Sequence, residues 1–139
     1  MRIGPRSWRR RDAGASAVEM AIVLPLLAFL VMGVVDFGRA LNAEIQLSQG
    51  AREGVRLAAL AGGNAAYDKA AVRARVILAA PAPGFSGTPT IADADISLCT
   101  NTSPASAVAS VTAKLAFRGI LWTPGGGTLQ QTAVMRCGG

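Results

Sequence analysis

The stretch that decides the fold is Gly14-Ala-Ser-Ala-Val-Glu-Met-Ala-Ile-Val-Leu-Pro-Leu-Leu-Ala-Phe-Leu-Val-Met-Gly-Val-Val35, closed by Asp36. Its one charge is Glu19, and the 16 residues from Met20 to Val35 carry none. At ~1.5 Å per residue that run covers about 24 Å, short of a hydrocarbon core ~30 Å thick. Counted from Ala15 to Val35 the helix reaches about 32 Å and spans. Glu19 is then accepted inside the membrane or at its edge. A carboxylate there costs ~2.5–3.5 kcal/mol at a helix centre and less near an end, so a compensating partner is expected.

Just upstream, residues 1–13 hold Arg2, Arg6, Arg9, Arg10 and Arg11 against Asp12. That arm carries +4 of the formal net charge of +6 in the 139-residue chain. Arginines beside an apolar helix act first as a topology signal that holds their side in the cytoplasm. The arm is short and Trp8 is its one aromatic, so direct nucleic-acid binding is the weaker reading.

Three readings fit arm and helix together. A cleaved secretory signal would have a long apolar region, with Ala40-Leu-Asn-Ala43 as its nearest and poor cleavage site. A plain membrane anchor would place Glu19 at the cytoplasmic interface, its carboxylate snorkelling to the headgroups. A prepilin-type leader accounts for the glutamate itself.

The residues behind the third reading are Arg9-Arg-Arg-Asp-Ala-Gly14, then Ala15-Ser-Ala-Val-Glu19, Asp36-Phe-Gly-Arg39 and Ala51-Arg-Glu-Gly-Val-Arg56. Over about residues 11–61 this ordered set resembles TadE-like proteins, minor pilins or pseudopilins of the Tad/Flp pilus system. Thr132-Ala-Val-Met-Arg-Cys137 also resembles the end of actinobacterial TadE-like chains. The resemblance implies cleavage by a prepilin peptidase after Gly14, with Ala15 as the new N-terminus and Glu19 as its fifth residue. It further implies a bacterial cytoplasmic membrane location, with the N-terminus inside and the domain outside, and passage to a surface pilus. The implied partners are the membrane, the peptidase, other Tad minor pilins and the major Flp pilin. Major Flp pilins carry Tyr after the Glu and lack a substantial following domain. Met20 and the length of this chain depart from both features, so a minor subunit is expected.

Residues 1–14 therefore read as leader, 15–38 as transmembrane helix and 39–139 as extracytoplasmic domain. Cleavage would remove five arginines and create an amine on Ala15 for Glu19 to pair with, within the chain or on a neighbour. Such a pair would set axial register between packed helices. Pro25 removes one backbone donor, and a kink near it is expected. Gly33 and Gly38 permit close helix approach, although their spacing is not that of the four-residue dimer motif.

Beyond the span the chain stays Ala-, Leu-, Arg- and Gln-rich without proline to Ala61. Asn42, Gln46, Gln49, Glu53 and Arg56 mark one polar helical face. Leu41, Ile45, Val55 and Ala59 mark another, with Leu47, Ala51 and Ala58 beside it. One helix from Ala15 to Ala61 would serve as an amphipathic spine, ~70 Å long at 1.5 Å per residue. Gly50 and Gly54 would weaken it or admit close packing against a sheet. Gly62-Gly63-Asn64 predicts the stop, with Asn64 capping a second helix over Ala65–Ala80. Lys69, Arg73 and Arg75 give that helix a basic face, either solvated or open to acidic partners. Pro81–Pro89 is turn composition.

Three strands are expected at Ala92–Cys99, Ala107–Arg118 and Thr128–Cys137. The second alternates cleanly, with Val111, Ala113, Leu115 and Phe117 on one face. The fold class is thus α+β: a long N-terminal helix, a second helix and a small antiparallel meander, on the general plan of pilins. Cys99 and Cys137 lie at strand ends and, outside the membrane, are expected to oxidise within the chain. Free thiols or intermolecular bridges are the alternative. Strict alternation puts Cys99 opposite the face of Leu98, a conflict left to strand order.

The chain has no His and only two Cys, which excludes His-based zinc sites, Ser-His-Asp triads and four-cysteine clusters. Asp93 and Asp95 make at most a weak cation site. Gly125-Gly-Gly127 lacks the Lys and helix of a phosphate loop. Neither an enzymatic role, a metal, a cofactor nor a small-molecule substrate is expected.

Overall fold

The computed structural model describes residues 9–62, 64, 67–80, 87–104, 106–120 and 127–137, with side chains from Gly14 onward. The expected leader falls outside these residues except for its last few backbone positions. Most of the Pro81–Pro89 linker and the Pro124–Gly126 turn also fall outside. Helix α1 runs Arg9–Leu60 and passes through Pro25. Helix α2 runs Lys69–Ala79. A 3-10 turn at Asp93–Asp95 leads into β1 (Ile96–Ser97), followed by β2 (Val108–Phe117) and β3 (Gly127–Arg136). The chain divides into two units, Met1–Val35 and Asp36–Gly139.

In the second unit the sheet order is β1-β2-β3, antiparallel throughout. The β2–β3 ladder is unbroken from Val108↔Arg136 to Phe117↔Gly127. Alternation on β2 is as expected, with Ala109, Val111, Ala113, Leu115 and Phe117 all buried. On the opposite face the hydroxyls of Thr112 and Thr132 pair across the strands at 2.9 Å.

The core lies between that buried face and the two helices. It joins Ala43, Leu47, Ala51, Val55 and Ala58 of α1, Val72 and Val76 of α2, and Ile96 of β1. Fully burying a Leu or Val contributes ~1.5–3 kcal/mol, but three of these five α1 residues are alanine. The sheet lies along α1. Ile120, just past β2, donates its N–H to Asp36 at 2.7 Å. Farther along, Gln131 Nε2 donates to Glu44 Oε1 at 2.8 Å. At the other end Cys99 N–H donates to the Ala58 carbonyl at 3.0 Å.

Four local expectations are corrected. Leu41 and Ile45 do not face the core, being 43% and 57% exposed. The small residues at 43, 50, 51, 54 and 58 face inward instead, because three elements crowd that side. Gly50 and Gly54 chiefly admit α2 rather than the sheet: a Cβ on Gly50 would lie 2.7 Å from Ala80 Cβ, and one on Gly54 would overlap Val76 Cγ2. The second helix begins at Lys69, where Asp68 Oδ1 accepts the Ala71 N–H at 2.8 Å, so Asp68 rather than Asn64 is its cap. The first strand shrinks to Ile96–Ser97, because residues 93–95 turn to aim two carboxylates at basic partners. The stop after α1 is as expected, with Gly62 at φ +45°.

The short β1 also removes the cysteine conflict. Pairing ends at Ser97, so alternation no longer governs Cys99, which turns inward to be 3% exposed. Cys137 follows the inward face of β3. The two form a disulfide with Cα atoms 5.7 Å apart.

Candidate site on the N-terminal helix

In the first unit the segment 14–35 has no buried side chain: Ile22 and Leu26 are each 69% exposed, Phe29 61% and Val34 65%. Water does not tolerate so large a continuous apolar surface on a monomer. The helix is long and apolar enough to cross a membrane, and is compatible with membrane anchoring.

Glu19 is exposed among these residues. It lies one turn after Ala15, on the same face. Helical side chains lean toward the N-terminus, so the Glu19 carboxylate leans toward position 15. Gly14 and Gly33 face open space, with nothing within 4 Å of an added Cβ. Neither glycine serves packing inside the chain, and both leave the backbone accessible. Pro25 lies between Glu19 and Gly33 in the same exposed segment.

At the start of the second unit Asp36 is 4% exposed. Its Oδ2 accepts the Ile120 N–H, and its Oδ1 faces Arg39 Nη1 at 3.6 Å. A buried carboxylate needs such partners, and the Asp36–Arg39 spacing, one helical turn, supplies the cation from the same helix. The Asp36-Phe-Gly-Arg39 string was legible in sequence, whereas its distant partner at Ile120 was not.

The basic residues of α2 do not form an open basic face. Arg73 pairs with Asp93 and donates from Nε to the Ile91 carbonyl at 3.0 Å. Lys69 donates to the Asp93 carbonyl at 2.8 Å, and Arg75 lies 3.3 Å from Glu53. Asp95 faces Lys114 Nζ at 3.0 Å. Asp93 and Asp95 therefore neutralise cations of this chain, and no cluster suited to a metal occurs among the described residues.

Residues 14–56 match the model of the family described as TadE-like protein. This segment is TadE-like. The match begins at Gly14 and takes in Glu19, Pro25, Gly33, Asp36, Arg39, Gly50 and Gly54. It covers 43 of the 139 residues, so α2, the sheet and both cysteines lie beyond the TadE-like segment. No curated protein and no solved structure matches the chain. A TadE-like segment points to a Tad pilus-associated protein.

Proposed function

We propose that this protein is a minor pilin or pseudopilin, a structural rather than catalytic subunit that takes part in assembly of a Tad/Flp-type pilus. The observation that carries the reading is the TadE-like match, which opens at Gly14; Glu19 lies five residues later as the one charge in residues 14–35. In this reading α1 is inserted with its arginines in the cytoplasm and Asp36–Gly139 outside. The disulfide supports an oxidising compartment for the second unit.

A prepilin peptidase would cut the Gly14–Ala15 bond. Loss of the five arginines weakens retention in the bilayer. The new ammonium on Ala15 then offers Glu19 a partner where an isolated charge is costly. A neighbouring pilin's ammonium offers the same, and helices that slide to make this contact acquire a fixed register. Gly33 lets another backbone approach, and the exposed Leu41 and Ile45 continue an apolar surface beyond the span. The partners are thus the peptidase, other Tad minor pilins and the major Flp pilin, with adhesion, biofilm formation or DNA uptake downstream.

Shearing of piliated cells tests the reading. The wild-type protein should leave with the pilus fraction. The Glu19→Gln variant should still be cut but should fall several-fold in that fraction, because the register-setting charge is gone. A wild-type protein that stays wholly in the membrane, uncut, would instead be an anchored extracytoplasmic interaction domain outside any pilus.

A further inference from the structure

We propose that residues 118–120, just after β2, form a second membrane contact, in which Ile120, near Arg118 and hydrogen-bonded to the helix at Asp36, rests in the headgroup region of the bilayer. The inference rests on the reading of α1 as a membrane span. It goes beyond that reading in giving the folded domain a lipid-binding surface of its own.

The height of the segment is set by one hydrogen bond. Asp36 directly follows the uncharged run Met20–Val35, so the water boundary of the span falls at about this residue. Asp36 Oδ2 accepts the Ile120 N–H at 2.7 Å, and Asp36 is itself held by Arg39. Ile120 is therefore one hydrogen bond from the helix at the level where hydrocarbon gives way to headgroups.

The chemistry at that level suits an interface. Ile120 is 59% exposed and Phe37 is 66% exposed, although the core of this unit lies a few residues away. Arg118 is exposed as well. Apolar side chains beside an arginine match a bilayer boundary, where chains enter the acyl edge and a guanidinium meets phosphates. The far end of the hairpin differs. There Val108 pairs with Arg136, the Cys99–Cys137 bridge joins the chain after β1 to the end of β3, and the Cys99 N–H donates to the Ala58 carbonyl of α1.

Depth-dependent quenching tests the contact on the full chain in phosphatidylglycerol/phosphatidylcholine vesicles with brominated acyl chains. Each protein carries Trp8→Phe and Trp122→Phe plus one reporter: Phe29→Trp in the span, Ile120→Trp at the segment, or Val134→Trp, seven residues along β3 from Gly127. The Phe29→Trp protein should lose most emission to bromines deep in the bilayer. The Ile120→Trp protein should lose emission to bromines near the headgroups and shift to the blue. The Val134→Trp protein should respond to neither. Quenching at 29 without quenching at 120 overturns the proposed contact and leaves the span standing. No quenching at 29 overturns the span and the contact together. Equal quenching at 120 and 134 would mean the whole domain lies on the membrane, which also overturns a contact specific to this segment.

Discussion

Gly54 faces Val76 so closely that a methyl group has nowhere to go. Replacing Gly with Ala in a helix interior gains ~1 kcal/mol of propensity, whereas overpacking a tight core costs ~1–3 kcal/mol. Gly54→Ala should therefore lower stability by about 1 kcal/mol in detergent-solubilised protein, followed by circular dichroism during urea unfolding. Val76→Ala alone should cost on the order of 2 kcal/mol for the lost burial. The double variant should lose less than the sum, because removing Val76 Cγ2 makes room for the new methyl. Additive losses would mean that the contact does not dictate glycine here. The reason for Gly50 and Gly54 was only half legible in sequence. Their role in close packing could be anticipated, but the element packed against them could not, since nothing local to α1 names Val76 or Ala80.

At the scale of elements, the parts that read correctly are those whose pattern is local. The β2 alternation and the proline-free run of α1 each fix their own periodicity. The parts that read wrongly depend on distant partners. Residues 92–95 have strand-like neighbours, yet Asp93 and Asp95 are drawn out of the ladder by Arg73 and Lys114. The apolar side of α1 reads too wide: Leu47, Ala51, Val55 and Ala58 are buried where α2 and β2 press on the helix, whereas Leu41 and Ile45 are exposed. The start of α2 is misread because Asn64 offers a cap signal four residues too early, whereas it is the Asp68 carboxylate that accepts the Ala71 N–H. Asp68→Ala should accordingly destabilise the protein by ~1 kcal/mol. Amide exchange should rise first in the opening turn of α2, at Ala71 and its neighbours. Unchanged protection there would show that tertiary contacts alone hold the turn.

At the scale of the molecule, one covalent tie closes the Asp36–Gly139 unit. The Cys99–Cys137 bridge encloses a separation of 38 residues, for which chain entropy gives ~4 kcal/mol. Against an alanine-rich core that is a large share of the 5–15 kcal/mol typical of a domain. Reduction, or Cys99→Ser with Cys137→Ser, should shift the urea midpoint down sharply while leaving the exposed N-terminal segment helical. A midpoint unmoved by reduction would mean the helices and sheet suffice without the bridge.

The account turns on whether the helix is cut where the TadE-like match begins. The direct measurement is the mass of the protein's N-terminal peptide, from membrane and sheared-surface fractions, in wild type and in Gly14→Ala. The prediction is a mature chain starting at Ala15 in both wild-type fractions, and an uncut chain confined to the membrane in the variant. A wild-type chain that keeps its leader would contradict the account and remove the proposed Ala15–Glu19 pairing. A chain starting beyond Ala40 would show the segment to be a cleaved signal peptide.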